Sequence, residues 1–299
     1  MDVEGYARRS LNQGRASQDI ISDLADRIVE IKGVSRDYAL SFAKAVMVEV
    51  NATRDLKTDI TSYEKAGVSM GMFGVGSRGT GDFYAHRKIA EIIGKSDATV
   101  GVEDMDDAGV VQAGGQYIVC TVDGMHSRLS DYPFLAGFHV TRATLRDCYV
   151  MGARPVMLFS DIHVADDGDV AKIFDYTAGV TTVGELAGVP LVSGSTLRIG
   201  GDMVIGDRMT GCVGTVGVAE HITARRKAAP GDLLLMTTGA GGGTVATTAL
   251  YYGYHDVIEK TINLTFLHAA DAILKSKLLG SIHAMTDVTN GGLRGDVHE

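Results

Sequence analysis

The sequence predicts an α+β protein: a helical hairpin followed by two αβ domains, the second of them partial. Three observations carry that prediction. Apolar residues recur at helical spacing over residues 17–50. From Thr99 onward, short β-branched stretches alternate with longer helical ones. Finally, 38 of the 299 residues are Gly and only 4 are Pro. That is well above the usual ~7% Gly and follows no collagen period, so the glycines belong to turns, close backbone approaches and ligand loops.

The elements follow in order. Ile20, Ile21, Leu24, Ile28 and Ile31 form one stripe behind a Ser17 cap. Gly33 breaks it, and Ser35 caps a second run through Leu40, Ala43, Val46, Met47 and Val50. Residues 1–60 therefore read as a hairpin extension. Residues 56–84 are loop-like, and 85–94 are helical. Strands are expected at 117–122, 155–159 and 191–193, helices at 138–151 and 170–187, and an extended stretch at 204–218. Ala228-Ala229-Pro230-Gly231-Asp232 is strong punctuation and places a boundary near residue 228. The domains are then 61–227 and 228–299. In the latter, 233–236 reads as a buried strand, 239–243 as a glycine loop and 244–252 as a helix.

Composition narrows the function. The net charge is −9 and the pI about 5.5, and the densest basic run is Arg225-Arg226-Lys227. Nucleic acid is a poor default partner for such a chain. An anionic substrate bridged by Mg²⁺ is compatible, because the metal supplies the missing positive charge. Cys120, Cys148 and Cys212 form no C-x-x-C and signal neither a zinc site nor a disulfide framework. The N-terminus lacks the apolar region of a signal peptide, and no run of ~18 apolar residues is present. A cytoplasmic protein without membrane spans is expected.

The acidic series is the most informative chemistry. Glu103, Asp104, Asp106 and Asp107 lie in one short segment, Asp123 follows a predicted strand, Asp147 lies inside a predicted helix, and Asp287 lies in Met-Thr-Asp-Val-Thr-Asn-Gly-Gly-Leu. Carboxylates at strand ends hold Mg²⁺ well. A single acidic run reads equally as a solvated turn, and Asp147 equally as an ion-pair partner of Arg146 or Arg154. Gly74-Val-Gly-Ser-Arg-Gly-Thr-Gly81 contains G-x-G-x-x-G, but residues 67–73 make a poor preceding strand, which argues against a dinucleotide fingerprint. A phosphate-covering loop and a plain surface loop both remain open for it. Gly94-Lys95-Ser96 lacks the earlier glycine of a phosphate-binding P-loop, Ile89 standing there. Among the nine histidines, His126 draws interest because it follows Asp123 closely.

Several stretches together resemble the aminoimidazole ribonucleotide (AIR) synthetase superfamily. They are the Gly76–Gly81 loop, Asp106-Asp-Ala-Gly-Val110, Thr121-Val-Asp123, Leu145-Arg-Asp-Cys-Tyr-Val-Met-Gly-Ala-Arg-Pro155, Pro230-Gly-Asp-Leu233 and Asp287-Val-Thr-Asn-Gly-Gly-Leu293, in one order. The glycine loop and the last segment are most similar to the hydrogenase maturation branch. The resemblance implies a first αβ domain whose strands complete a barrel only in a homodimer. It implies ATP and Mg²⁺ as cofactors and phosphoryl transfer to a small or carrier-bound acceptor. On its motifs, Asp106, Asp107, Asp123 and Asp147 would hold the metal. Asp123, Asp147 and Asp287 would be catalytic. Gly76, Ser77, Gly79, Gly81, Asp107, Gly194 and Thr196 would contact the nucleotide.

Two departures stand out. Where many members carry Gly-Gly-Asp-Thr, this chain has Ser193-Gly194-Ser195-Thr196, so one carboxylate is replaced, with Asp202 near in sequence. The chain also ends about 70 residues past the expected boundary, about half of a typical second domain, which reads as truncation. A non-catalytic nucleotide-binding scaffold of the same fold is the alternative reading.

Overall fold

The computed structural model describes residues 1–77, 79–199, 205–239, 241–289 and 291–298. The chain divides into two compact units. The first comprises residues 1–67, 163–172 and 196–209; the second comprises 68–162, 173–195 and 210–299.

The first unit is built on three helices: α1 (Val3–Asn12), α2 (Ser17–Lys32) and α3 (Arg36–Thr53). The sequence reading had the α2–α3 pair and missed α1, whose Asp2 cap accepts from the Gly5 amide at 2.7 Å. Ser17 is the first helical residue and not the cap; Ala16 holds that position without a side-chain bond. Gly33 ends α2 in the left-handed conformation, and Ser35 caps α3 as expected. Ile20, Leu24, Ala25 and Ile28 bury against Ala39, Ala43, Val46, Met47 and Val50, with Val3 and Ala7 closing the core. Ile31, expected in that stripe, is exposed. The helices are joined to the unit's other segments by Lys32–Asp167 and by the buried Ile205.

The second unit opens with a loop leading into α4 (Thr80–Ile93). A sheet of order β1-β2-β5-β3-β4 follows, with β1 (Gly109–Ala113), β2 (Gln116–Gly124), β3 (Arg154–Val164), β4 (Leu191–Arg198) and β5 (Met209–Ala219). The distal ends of β3 and β4 belong to the first unit. β1 and β2 form an antiparallel hairpin in register Gly109↔Cys120 to Ala113↔Gln116, and β2 pairs antiparallel with β5 from Tyr117↔Ala219 to Gly124↔Cys212. β2, β3 and β4 are longer than the sequence suggested, β5 takes up the latter part of the extended stretch expected at 204–218, and β1 was not expected.

The sheet is covered on one side by α5 (Pro133–Val150), with α6 (Ala171–Ala187) packed on α5. Gly137 and Gly179 make the helix crossing possible: a Cβ at either would fall 2.2 Å from a backbone oxygen of the other helix. Period-2 alternation sends Val119, Thr121 and Asp123 of β2 towards α5. Ile118, Cys120 and Val122 face the other way, and Val111, Val122 and Met157 lie exposed there.

After β5 come α7 (Gly243–Tyr252), α8 (His255–Thr261), α9 (Thr265–Lys275) and α10 (Gly292–His298). The buried strand expected at 233–236 is not formed. Leu233 and Leu235 are 89% and 88% exposed, and no strand pairs with this stretch among the described residues. An apolar run becomes a buried strand only where a neighbouring strand and a packing layer receive it. Among the described residues, no helix is long and apolar enough to cross a membrane.

Candidate functional site

Four separated segments of the second unit bring carboxylates together. The first is the turn before β1. Met105 takes a left-handed conformation (φ 50°), rare for a residue with a side chain, and places Asp106 and Asp107 inward. Asp106 Oδ1 accepts from the Asp107 amide at 2.9 Å, and Oδ2 from the Arg225 amide at 3.0 Å. The second segment is β2, whose inward alternation delivers Asp123. The third is α5, which carries Arg146 and Asp147 towards its C-terminal end. The fourth is the stretch holding Thr286 and Asp287.

Two arginines stitch these segments together. Arg146 donates to Asp147 Oδ1 at 3.0 Å and forms a short ion pair with Asp287. Arg225 forms a short ion pair with Asp107 and donates to Met105 O at 3.0 Å and Thr286 Oγ1 at 2.9 Å. Among the described residues, the cations that the ion pairs set against Asp106, Asp107, Asp147 and Asp287 are Arg146 and Arg225. If all were ionised, the cluster would hold excess negative charge in a poorly solvated place.

The titration of the group reflects that excess. Burial pushes the Asp107 carboxyl up, helped by Asp287 and opposed by Arg225. Burial likewise raises Asp106. Asp123 and Asp147 are both raised, first by burial, with Arg146 opposing the rise in each. Asp287 is pushed up to about 7 by burial and by Asp147 and Asp296, against the pull of Arg146. Burial works against the Arg146 charge, yet Asp147, Asp287 and Asp123 more than hold it.

The donor set suits a hard cation. Oδ2 of Asp107 and Oδ2 of Asp123 are buried and have no hydrogen-bond partner among the described residues. Buried polar atoms without partners mark places where an ion or water belongs. Carboxylate oxygens on strand ends are the ligands Mg²⁺ takes while keeping several waters. Among the described residues, no three His, Cys, Asp or Glu side chains already converge as a ligand set; the arginines bridge the carboxylates instead.

The remaining expected residues lie elsewhere. Gly76, Ser77, Gly79 and Gly81 form a loop at the start of α4, held by internal bonds: Gly76 N to Asp82 Oδ1 at 2.8 Å and Gly81 N to Phe73 O at 2.9 Å. Gly194 and Thr196 lie on β4, separated from β2 in the sheet by β5 and β3. A Cβ at Gly194 would fall 2.7 Å from Ser160 O, so close strand approach already requires that glycine. Asp104 pairs with Arg226 at 2.8 Å in a partly solvated turn. The ring of His126 packs on Gly243. Asp202 lies outside the described residues.

Sequence reasoning missed three contributors. Arg225 was read only as part of a basic run, because nothing local connects it to Asp107, 118 residues away. Arg146 stood only as a possible partner of Asp147. Asp296, 3% exposed, accepts from the Thr289 amide at 2.8 Å and so shapes the turn that follows Asp287. Its spacing behind a Gly-Gly turn was the available signal.

Comparison with known proteins agrees with this architecture. The family model of the AIR synthase related protein, N-terminal domain, matches residues 105–219. The chain is 56% identical over 312 residues to the uncharacterized protein MJ1416 of Methanocaldococcus jannaschii, covering 100% of this chain and 69% of that protein. It is 31% identical over 207 residues to the selenide, water dikinase of Myxococcus xanthus, covering 68% of this chain and 56% of the relative. The fold also resembles the solved structure of AaThiL complexed with AMPPCP and TMP, with TM-score 0.54 at 16% identity, over 71% of this chain and 66% of that one. These findings define a class whose named relatives include ATP-using, kinase-like proteins. The chain belongs to the AIR synthase-like superfamily.

Proposed function

We propose that this chain binds Mg²⁺–ATP at the carboxylate cluster and takes part in transfer of its γ-phosphoryl group to a small or carrier-bound acceptor. The carrying observation is the excess of buried carboxylate over guanidinium, with Oδ2 of Asp107 and of Asp123 left without partners. Asp106, Asp107, Asp123 and Asp147 would hold the metal. When bound, Mg²⁺ supplies charge neutralisation and a bridge to phosphate oxygens. The protein's own part is positioning, which is most of what phosphoryl transfer requires. Arg146 and Arg225 fix the spacing of the carboxylates, and Asp287, tied to Arg146, supplies the cluster's contribution from the C-terminal segment. Gly76, Ser77, Gly79 and Gly81 would contact the phosphates once the loop's internal amide bonds to Asp82, Gly74 and Phe73 open, and Gly194 and Thr196 would complete the nucleotide contacts. A relative named for a dikinase activity and a fold neighbour solved with AMPPCP support the reading.

The domain assignment we propose stays at 1–60, 61–227 and 228–299. The uncovered sheet face bearing Val111, Val122 and Met157 supports a homodimer formed through that face. A hydrogenase-maturation-like role is the branch we favour on the glycine loop and the 287–293 segment. ADP formation assayed with Mg²⁺ tests the reading. Turnover abolished by Asp123→Ala supports it, whereas turnover unchanged in that variant refutes the site. Binding of Mg²⁺–ATP with no turnover under any acceptor favours the scaffold reading.

A further inference from the structure

We propose that Arg146 binds the terminal phosphoryl group of the nucleotide. The proposal rests on the reading of the carboxylate cluster as a Mg²⁺–ATP site, and it gives that site a protein cation beside the metal.

The first observation is how Arg146 is held. Among the described residues its side-chain partners are carboxylates alone. Nε and Nη2 donate to Asp147 Oδ1 at 3.2 and 3.0 Å, and Nη2 also forms the short ion pair with Asp287. Nη1 makes no hydrogen bond among the described residues, and the side chain stays 22% exposed. One edge of the guanidinium is therefore bound, and its outer nitrogen is open. The two other arginines of this region are held differently. Arg225 is tied to Asp107 and also to Met105 O and Thr286 Oγ1, so neutral groups fix it whatever happens to the carboxylates. Arg142, one turn before Arg146 on α5, is 2% exposed, and its guanidinium bonds the carbonyls of Thr261 and Gly241. It serves the packing of α5 and has no edge turned to a ligand.

The second observation is that Asp147 serves two partners. Its Oδ1 accepts from two nitrogens of Arg146, and its carboxylate is one of the four proposed to hold the metal. A carboxylate that binds a divalent ion has less charge left for a guanidinium. Sharing Asp147 therefore loosens its hold on Nε and Nη2, while Asp287 keeps the guanidinium in the cluster. Oδ2 of Asp107 and of Asp123, both buried without partners among the described residues, belong to the same group of carboxylates. A phosphate entering with the metal thus meets Arg146 at the same cluster. A guanidinium offers parallel N–H donors that match two phosphate oxygens, which an ammonium does not. Of the phosphates of ATP, the terminal one has three free oxygens and the most charge, and charge is spread over those oxygens during transfer. Donors already in place there act where neutralisation counts most.

The test is calorimetric titration of Mg²⁺–ATP and of Mg²⁺–ADP into wild type, Arg146→Gln and Arg146→Lys. Arg146→Gln should bind Mg²⁺–ATP about tenfold to a hundredfold more weakly, the size of a lost hydrogen bond to a charged group, and Mg²⁺–ADP as wild type does. Arg146→Lys keeps the charge without the fork and should fall between the two for Mg²⁺–ATP. A measurement on the unaltered chain covers the case in which circular dichroism shows Arg146→Gln to be misfolded. The ¹⁵N Nε–H resonance of Arg146, identified by its loss in Arg146→Lys, should take a different position with Mg²⁺–ATP than with Mg²⁺–ADP. Equal losses for the two nucleotides, unchanged Mg²⁺–ATP affinity in Arg146→Gln, or one resonance position for both overturns the proposal. The two readings fail distinguishably. Absence of Mg²⁺–ATP binding in wild type refutes the site and the role of Arg146 with it, whereas wild-type binding that Arg146→Gln leaves unaltered removes that role alone.

Discussion

Asp287→Asn isolates the charge argument on which the site rests. Asp287 is 6% exposed, and its carboxyl is pushed up to about 7. Against an ordinary value of ~3.9, that difference corresponds to about 4 kcal/mol. Because the folded value lies above the unfolded one, the stabilisation is whole below pH ~4 and is lost as pH rises through 7. Asn keeps the shape and an acceptor for Arg146 but cannot ionise. In EDTA, the gap between variant and wild type should be smallest near pH 5, about 1–2 kcal/mol in the variant's favour. By pH 8 the variant should be the more stable by about 2–4 kcal/mol, or several degrees at ~2–4 °C per kcal/mol for a chain of this size. The assay is thermal unfolding followed by circular dichroism at pH 5, 6, 7 and 8. Adding Mg²⁺ at pH 8 should return the advantage to wild type, since the cation neutralises the charge that Asp287 adds. A variant less stable than wild type by the same margin at every pH would refute the reasoning. Asp287 would then be a simple stabilising partner of Arg146.

Other perturbations test neighbouring parts of the account. Arg225→Gln leaves Asp107 buried beside no guanidinium and should cost about 3–5 kcal/mol at pH 8. Urea melts should show a smaller loss at acid pH, where the raised Asp107 carboxyl is protonated. Val122→Glu places a charge on the uncovered sheet face, where Val122 is 58% exposed. Sedimentation should show a dimer in wild type and a monomer in the variant, and equal masses would remove that face as the dimer contact. Gly194→Val drives a side chain towards Ser160 O, 2.7 Å from its Cβ, and should destabilise by about 1–3 kcal/mol.

The sequence carried much of this structure because its strongest signals are local. The periodic stripes of α2 and α3 and the alternation in β2 each report a buried face directly. So did the motif aspartates, since Asp107, Asp123, Asp147 and Asp287 do meet in one cluster. What was not legible depends on distant partners. Leu233–Leu235 reads as a strand by composition, but strand formation needs a pairing edge that composition does not announce. Arg225 and Arg142 act across 118 and 119 residues of chain, so no window of sequence links them to what they hold. Ser17 failed as a cap because Ala16 already occupies the extended cap position, a one-residue difference that propensity does not resolve.

Calorimetry of ATP binding with Mg²⁺, in wild type and in Asp123→Ala, tests the central claim most directly. The account predicts saturable binding in wild type that disappears in EDTA and in the variant. Equal affinity in the two proteins would contradict it.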